Sequence, residues 1–231
     1  SSNGSRRICY DEKHFSHCID KRGKPMDVRV LLLTVLTLAW TPAFAGNVVF
    51  FLGDGMGIST ITAARIYAGQ QLGKPGEEHD LAFDKFDNVA LIKTYNVDAQ
   101  VSDSAGTITA IMTGQKTRIG VVGVDATVDR DDCTAALENS LPSIAELAEQ
   151  EGYFTGVIST ARITHATPAG SYAHVPNRNW EDDATLPKEA AESGCVDIAR
   201  QLIEPKYGDG PEVILGGGRA NFMGQKDTDP E

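Results

Sequence analysis

Positive charge is scarce in this 231-residue chain, where 21 Lys and Arg stand against 32 Asp and Glu for a formal net charge of −11. That balance argues against a general nucleic-acid binder, which needs a basic face. Aromatics are modest at 7% while glycines number 23, the composition of an α/β protein with many tight turns. No internal repeat or low-complexity tract is present, so the length fits one domain or a generous part of a larger one. The four cysteines include no C-x-x-C pair, which removes the usual metal-ribbon and redox motifs. The longest apolar run, from Val30 to Trp40, is too short for a comfortable membrane span.

That run suits a different purpose. Met26 and Arg29 precede it, and Ala43, Phe44 and Ala45 form an A-x-A site after it. This is the pattern of a secretory signal peptide cut after Ala45, preferred over an anchor or a buried helix. Residues 26–45 are therefore expected to be a signal and 1–25 an upstream extension with no place in the mature protein. Cys9 and Cys18 fall in that leader. Cys133 and Cys195 would meet an oxidising compartment, and they are expected to pair.

From residue 46 onward the pattern alternates. "GNVVFFLGDGMG" (46–57) reads as a strand and a glycine loop, followed by a helix over 58–69 that closes on Gly69. A second strand candidate covers 89–96, and 114–140, rich in Gly, Asp and Thr, looks like exposed loop. "LPSIAELAEQEG" gives a helix with Ile144, Leu147 and Ala148 as its apolar positions and a stop at Gly152. Strands follow at 153–160 and 212–218, with a helix over 195–204 between them. Such alternation implies an α/β fold: a mostly parallel sheet with helices on both faces. No closing element follows the last glycine turn, so 46–231 is expected to be the first part of a longer domain.

Two nucleotide motifs fail on spacing. In "GDGMG" the third glycine of G-x-G-x-x-G would fall at Ile58, and an ionised Asp54 would face the phosphates. A carboxylate at a strand tip among glycines is better suited to a divalent cation. "TGQKT" (113–117) separates Gly114 from Lys116 and lacks the earlier glycine of a P-loop.

In "VSDSAGTITA" (101–110), Ser104 and Asp103 precede a run of helical character. Either is a good N-cap. Alternatively Ser104 is a nucleophile at a helix N-terminus, whose dipole and free N–H groups would hold an anion. Further on, "ARITHATPAGSYAHVPNRNW" places His165, Thr167, His174 and Arg178 after a strand end, where ligands of open α/β sheets bind. Thr167 offers an oxygen for a hard cation and Arg178 a planar fork for a phosphate. Each has an ordinary alternative, a turn cap for Thr167 and a surface ion pair for Arg178. Three strand ends that together carry Asp54, Asp103 with Ser104, and His165 with Thr167 do not arise so easily from capping.

The segments "NVVFFLGDGMG", "SDSAGTITA", "THATPAGSYAHVPNRNW", "GCVDIARQLI" and "VILGGGR" occur in the order found in alkaline phosphatases, and residues 46–231 resemble the N-terminal half of that family. The resemblance implies an α/β/α sandwich and a secreted, usually dimeric phosphomonoesterase that works at alkaline pH through a phosphoserine, with two zinc ions and one magnesium. On that pattern Ser104 matches the nucleophile, Asp54 the carboxylate shared by magnesium and one zinc, and Thr167 a magnesium ligand. His165 matches the residue just outside the magnesium site, Arg178 the phosphate clamp, and Asp103 the aspartate that orients it. Cys133 and Cys195 match a disulfide of the animal-type branch.

The remaining magnesium glutamate and the histidines and aspartates that complete the zinc sites belong to the family's second half. None of His79, His165 and His174 forms a zinc-ligand pair with suitable spacing. The resemblance thus implies phosphate monoesters as substrates, a homodimer when complete, no nucleic-acid binding, and a membrane anchor only beyond Glu231. A related diesterase or sulfatase, and a non-catalytic secreted phosphate-binding fragment, remain the alternatives.

Overall fold

The structure is a computed structural model that describes residues 9–12, 15–18 and 46–224. The expected signal peptide (26–45), most of the expected upstream extension and the last seven residues lie outside the described residues. The chain divides into two compact units, residues 1–52 and 53–231. In the first, β1 (Cys9–Glu12) pairs antiparallel with β2 (Phe15–Cys18).

The second unit is built on a parallel pair, β3 (Gly156–Arg162) and β4 (Val213–Gly217), joined by a helical crossover. Around it run α1 (Ile58–Gln71), α2 (Ser104–Thr113), α3 (Cys133–Glu138), α4 (Ile144–Gln150), α5 (Ala166–Ala169), α6 (Lys188–Glu192) and α7 (Ile198–Ile203). This is the α/β class, with a parallel sheet and helices. Side chains alternate along β3, the odd positions half-buried toward the helices and the even ones exposed. Ile158, on the even face, is 72% exposed. Among the described residues no helix is long and apolar enough to cross a membrane.

One core holds Ala105 of α2, Val122, Ile163, Ala166 and Ala169 of α5, Tyr172, Val175, and Ile198 and Leu202 of α7. Helix and sheet therefore close over the segments that follow β3. Tyr172 donates its buried hydroxyl to Ile163 O at 2.7 Å, which satisfies the one polar atom that would otherwise make burying a tyrosine costly. Burial pushes that phenol well above its usual range, so the bond persists at alkaline pH.

Several sequence expectations need correction. Residues 46–52 and 89–96 form no strand: the first segment has no ladder and the second only an isolated bridge between Asn96 and Ala99. Their apolar side chains, Phe51 and Leu91 among them, are exposed. An apolar run of strand length specifies a strand only where a neighbouring strand can take its N–H and C=O groups. The helix expected to stop at Gly69 continues to Gln71, and Gly69 is buried within it. The region 114–140 is not exposed loop, because Val121, Val124 and Val128 pack with Ala136 of α3 in a second cluster. On α4 the expected face is reversed. Ile144 and Leu147 are 65% and 47% exposed, whereas Glu146 and Glu149 are 4% and 7% exposed. Glu146 is buried because a capping box uses it: its Oε2 accepts Ser143 N–H while Ser143 Oγ accepts Glu146 N–H.

Two links fix the segments that lead to the site. Cys133 and Cys195, 62 residues apart, form a disulfide with Cα atoms 5.8 Å apart, beside Trp180 and Ala190. A loop of that size limits the unfolded chain by about 4 kcal/mol in the chain-entropy account. Val122 and Val175 exchange both backbone hydrogen bonds, at 2.9 and 2.8 Å. The next residue, Gly123, has φ 63°, and a Cβ there would lie 2.2 Å from Ala173 O. Gly123→Ala is expected to cost about 2–4 kcal/mol from backbone strain and overpacking together, read as a lower urea midpoint at unchanged m-value.

Candidate active site

Three segments meet at the N-terminal end of α2. Asp103 is the cap: its Oδ1 accepts Gly106 N–H at 3.0 Å, and Ser104 is the first helical residue. The aspartate thus satisfies the open end of the helix and leaves the serine hydroxyl for another partner. Ser104 Oγ donates to Asp54 Oδ1 at 2.9 Å. Asp54 stands in the turn before α1, and its Oδ2 accepts from Thr167 Oγ1 of α5 at 2.6 Å. A carboxylate and two hydroxyls from three distant stretches of sequence converge in this way.

The Thr167 hydrogen bond holds the Asp54 carboxyl below its usual value, aided by Ser104 and by the charge of Arg178, while burial works against them. An ionised carboxylate with a lowered pKa is a poor base. Asp54 orients the serine hydroxyl and does not by itself remove its proton.

Asp103 is the most densely bonded carboxylate in the site. Its Oδ1 accepts from Gly106 N and from Asn96 Nδ2, both at 3.0 Å, and its Oδ2 from Gly120 N and Arg178 Nη1, both at 3.1 Å. Burial pushes its pKa up, and these four donors outweigh burial and hold it below the ordinary value. Gly106 also lets Asn96 approach, since a Cβ at 106 would lie 2.7 Å from that side-chain amide.

Arg178 is positioned from both sides. Its backbone N–H donates to Gly120 O at 2.8 Å, Nη1 is held by Asp103, and Nη2 meets His165 Nε2 at 2.9 Å. Burial and the neighbouring guanidinium lower the pKa of His165. The neutral ring accepts at Nε2, which assigns its proton to Nδ1, a buried atom without a partner. Two of the five N–H donors of the guanidinium are engaged, and the side chain is 21% exposed. A fixed guanidinium fork thus lies near a helix N-terminus and a serine hydroxyl, a set of donors for a tetrahedral oxyanion.

His174, which the sequence groups with these residues, has other partners. Its ring lies between Gly123 O at 2.7 Å and Glu146 Oε1 at 2.8 Å, and it is buried. Two contributors escape sequence reasoning. Asn96 lies seven residues before Asp103 in no motif, and only its burial beside the cap reveals it. Glu181 accepts from Arg162 twice, from Thr164 and from Asn221, which anchors the loop that carries His165. A carboxylate one residue after a tryptophan gives no local signal of that use.

The donor set can be tested against metals. Asp54, Ser104 and Thr167 offer only oxygen, which suits a hard cation such as magnesium. Zinc prefers His and Cys in a tetrahedron, and among the described residues no group of three His, Cys, Asp or Glu side chains gathers around Asp54. The residues present fit part of a magnesium site and do not amount to a zinc cage.

Residues 45–231 match the model of the alkaline phosphatase family. The chain belongs to that family. It is 50% identical over 189 residues to the tissue-nonspecific alkaline phosphatase of Gallus gallus, which covers 81% of this chain and 36% of that protein. It is 53% identical over 175 residues to alkaline phosphatase 4 of Drosophila melanogaster, covering 75% and 29%. Among solved structures, the alkaline phosphatase of the Antarctic bacterium TAB5 superimposes with a TM-score of 0.56 at 29% identity, over 76% of this chain and 41% of that one. The chain therefore spans about a third of the length of the curated relatives it matches.

Removing Asn96 tests the Asp103 network directly. Asn96→Ala deletes one of four donors to a half-buried carboxylate, and a hydrogen bond to a charged group contributes about 1.5–3 kcal/mol. A loss of stability in that range is expected in urea unfolding, whereas substitution of the exposed neighbour Val97 should be close to neutral.

Proposed function

We propose that the chain carries the nucleophile side of a metal-dependent phosphomonoester hydrolase. Residues 46–231 would be the N-terminal part of its catalytic domain and 26–45 a secretory leader. The observation that supports this reading best is the convergence of Ser104 and Thr167 on the Asp54 carboxylate, with Arg178 fixed nearby by Asp103.

The steps for this chain's own groups follow from that geometry. A phosphate monoester binds with its non-bridging oxygens on the free N–H groups of Arg178 and toward the positive end of α2. Asp103 holds Arg178 in position and stays ionised. Ser104 Oγ attacks phosphorus in line: its O–H proton is given up to solvent as the Oγ–P bond forms, the bond from phosphorus to the alcohol oxygen breaks, and that oxygen takes up a proton from solvent so that the alcohol leaves. Water then cleaves the phosphoserine, which returns the serine hydroxyl and releases phosphate. Asp54 and Thr167 are the oxygens in this chain that would hold magnesium, with Ser104 beside them. A bound divalent cation supplies the charge that lowers the pKa of the serine hydroxyl and neutralises the phosphoryl and leaving oxygens.

The two zinc ions of the proposed site would find most of their ligands in the part of the family's length that this chain does not span. Two variants of the TAB5 enzyme carry magnesium in a site called M3, which supports a metal requirement here. Secretion, a homodimer and action at alkaline pH belong to the same proposal.

Two variants test the roles, made in a chain extended to the family's full length. Ser104→Ala should abolish phosphoenzyme formation from p-nitrophenyl phosphate in acid-quenched samples. Arg178→Ala should weaken inorganic phosphate binding by about tenfold or more, the scale of a lost charge-assisted contact, without changing bound metal by elemental analysis. A phosphoenzyme that persists in Ser104→Ala would remove the serine from its role. Unaltered phosphate affinity in Arg178→Ala would remove the arginine from its own.

A further inference from the structure

Far along the sequence from Ser104, the C-terminal end of α4 holds a carboxylate with no evident reason to be buried. Glu149 is 7% exposed, and both its Oε1 and Oε2 are shielded from solvent without a hydrogen-bond partner. A buried ionised carboxylate is normally paired, hydrogen-bonded or bound to a metal. Glu146, one turn earlier on the same helix face, follows that rule, with Ser143 N–H and His174 as partners.

Among the described residues no basic side chain pairs with Glu149. Two further carboxylates lie near it: Asp209 and Glu212, from the connection between α7 and β4, each place an oxygen so that the three ligand atoms lie within 4.8 Å of one another. Lys206, the amine of that connection, is turned to Ser140 Oγ at 2.6 Å. The C-terminal end of a helix adds negative potential to the cluster.

The backbone holds the cluster closed. Gly208 has φ 65°, and a Cβ there would sit 2.3 Å from Glu149 Cβ and 3.2 Å from its Oε2. The connection thus passes directly over the glutamate. Glu212 is anchored in turn, with Oε2 accepting Thr155 N–H at 2.7 Å and its own N–H donating to Thr155 O at 3.1 Å.

We propose that Glu149, Asp209 and Glu212 bind a calcium ion that clasps the α7–β4 connection onto the end of α4. All three ligands are carboxylate oxygens, without the His or Cys that zinc favours. Two oxygens bound to one calcium at 2.3–2.6 Å can be separated by up to about 5 Å, which matches the spread of this cluster. Calcium also accepts irregular sets of six to eight oxygens, as a glycine-containing loop with carbonyls and water provides, whereas magnesium demands a near-regular octahedron. This site shares no residue with Asp54, Ser104 and Thr167, and it does not depend on the proposed hydrolase chemistry.

The test is calcium titration of the metal-stripped 231-residue chain by calorimetry, with excess magnesium present, together with thermal melts. One calcium should bind, and the melting temperature should rise with calcium concentration by mass action. Asp209→Asn and Glu212→Gln, both at exposed loop positions, should each weaken calcium by about tenfold or more, as loss of a charged ligand does. Glu149→Gln should abolish the calcium response, while Asp54→Asn should retain it. If Glu149→Gln does not fold, the two loop variants decide. No calcium binding, binding indifferent to Asp209→Asn and Glu212→Gln, or binding lost in Asp54→Asn would each overturn the proposal.

Discussion

The geometry around Ser104 depends on one carboxylate with all its acceptor directions filled. Asp103 takes N–H donors from Asn96, Gly106, Gly120 and Arg178, which come from four separate stretches of chain. Burying that charge is unfavourable alone, and the four donors together more than offset it. Because Asp103 caps α2, Ser104 needs no cap role and can face Asp54. Because Asp103 also holds Nη1 of Arg178, the guanidinium cannot swing out to solvent. The paired hydrogen bonds of Val122 and Val175 make this possible, since they bring Gly120 and Arg178 to the same side of the cap.

The sequence reveals chemistry that is local and conceals chemistry that depends on pairing. Asp103 and Ser104 before a run of small residues could be read as a cap and a hydroxyl, but that Asp103 is the cap shows only in the fold, where Gly106 N–H donates to it and Asn96 and Gly120, both outside residues 101–110, hold it in place. The strands expected at 153–160 and 212–218 were legible, forming at 156–162 and 213–217 where the two segments pair. The equally apolar runs at 46–52 and 89–96 have no ladder in the structure, and a run carries no mark of whether a partner exists. Valines at 121, 124 and 128 were hidden among Gly, Asp and Thr, whose turns fold back on α3 and bury them. Helix α4 misled for a specific reason: periodicity assigns burial to Ile144 and Leu147, whereas the buried face is acidic.

That inversion bears on how the unit meets its surroundings. Ile158 of β3, Ile144 and Leu147 on the outer side of α4, and Leu215 of β4 are apolar and exposed. A sheet of two strands is marginal in water when one face is open. Exposed apolar area of this kind calls for cover. The acidic residues of α4 face the inside of the unit, opposite Ile144 and Leu147, so the case for a cation at Glu149 does not rest on what packs outside.

The charge balance leads to the same physical requirement at both sites. A chain with a net charge of −11 repels an anionic substrate at long range, with a reach set by the ionic strength. Local donors must overcome that repulsion at short range. Arg178 supplies one full positive charge and α2 a fraction of one, while Asp54 and Asp103 bring two negative charges to the same place. The residues of this chain therefore come close to electrical neutrality around Ser104 and fall short of what a phosphate dianion demands. On the proposed function, a divalent cation on Asp54 would reverse the sign of the local field without altering a single side chain. The carboxylate that looks ill-placed beside a phosphate would then be what lets an acidic protein approach one.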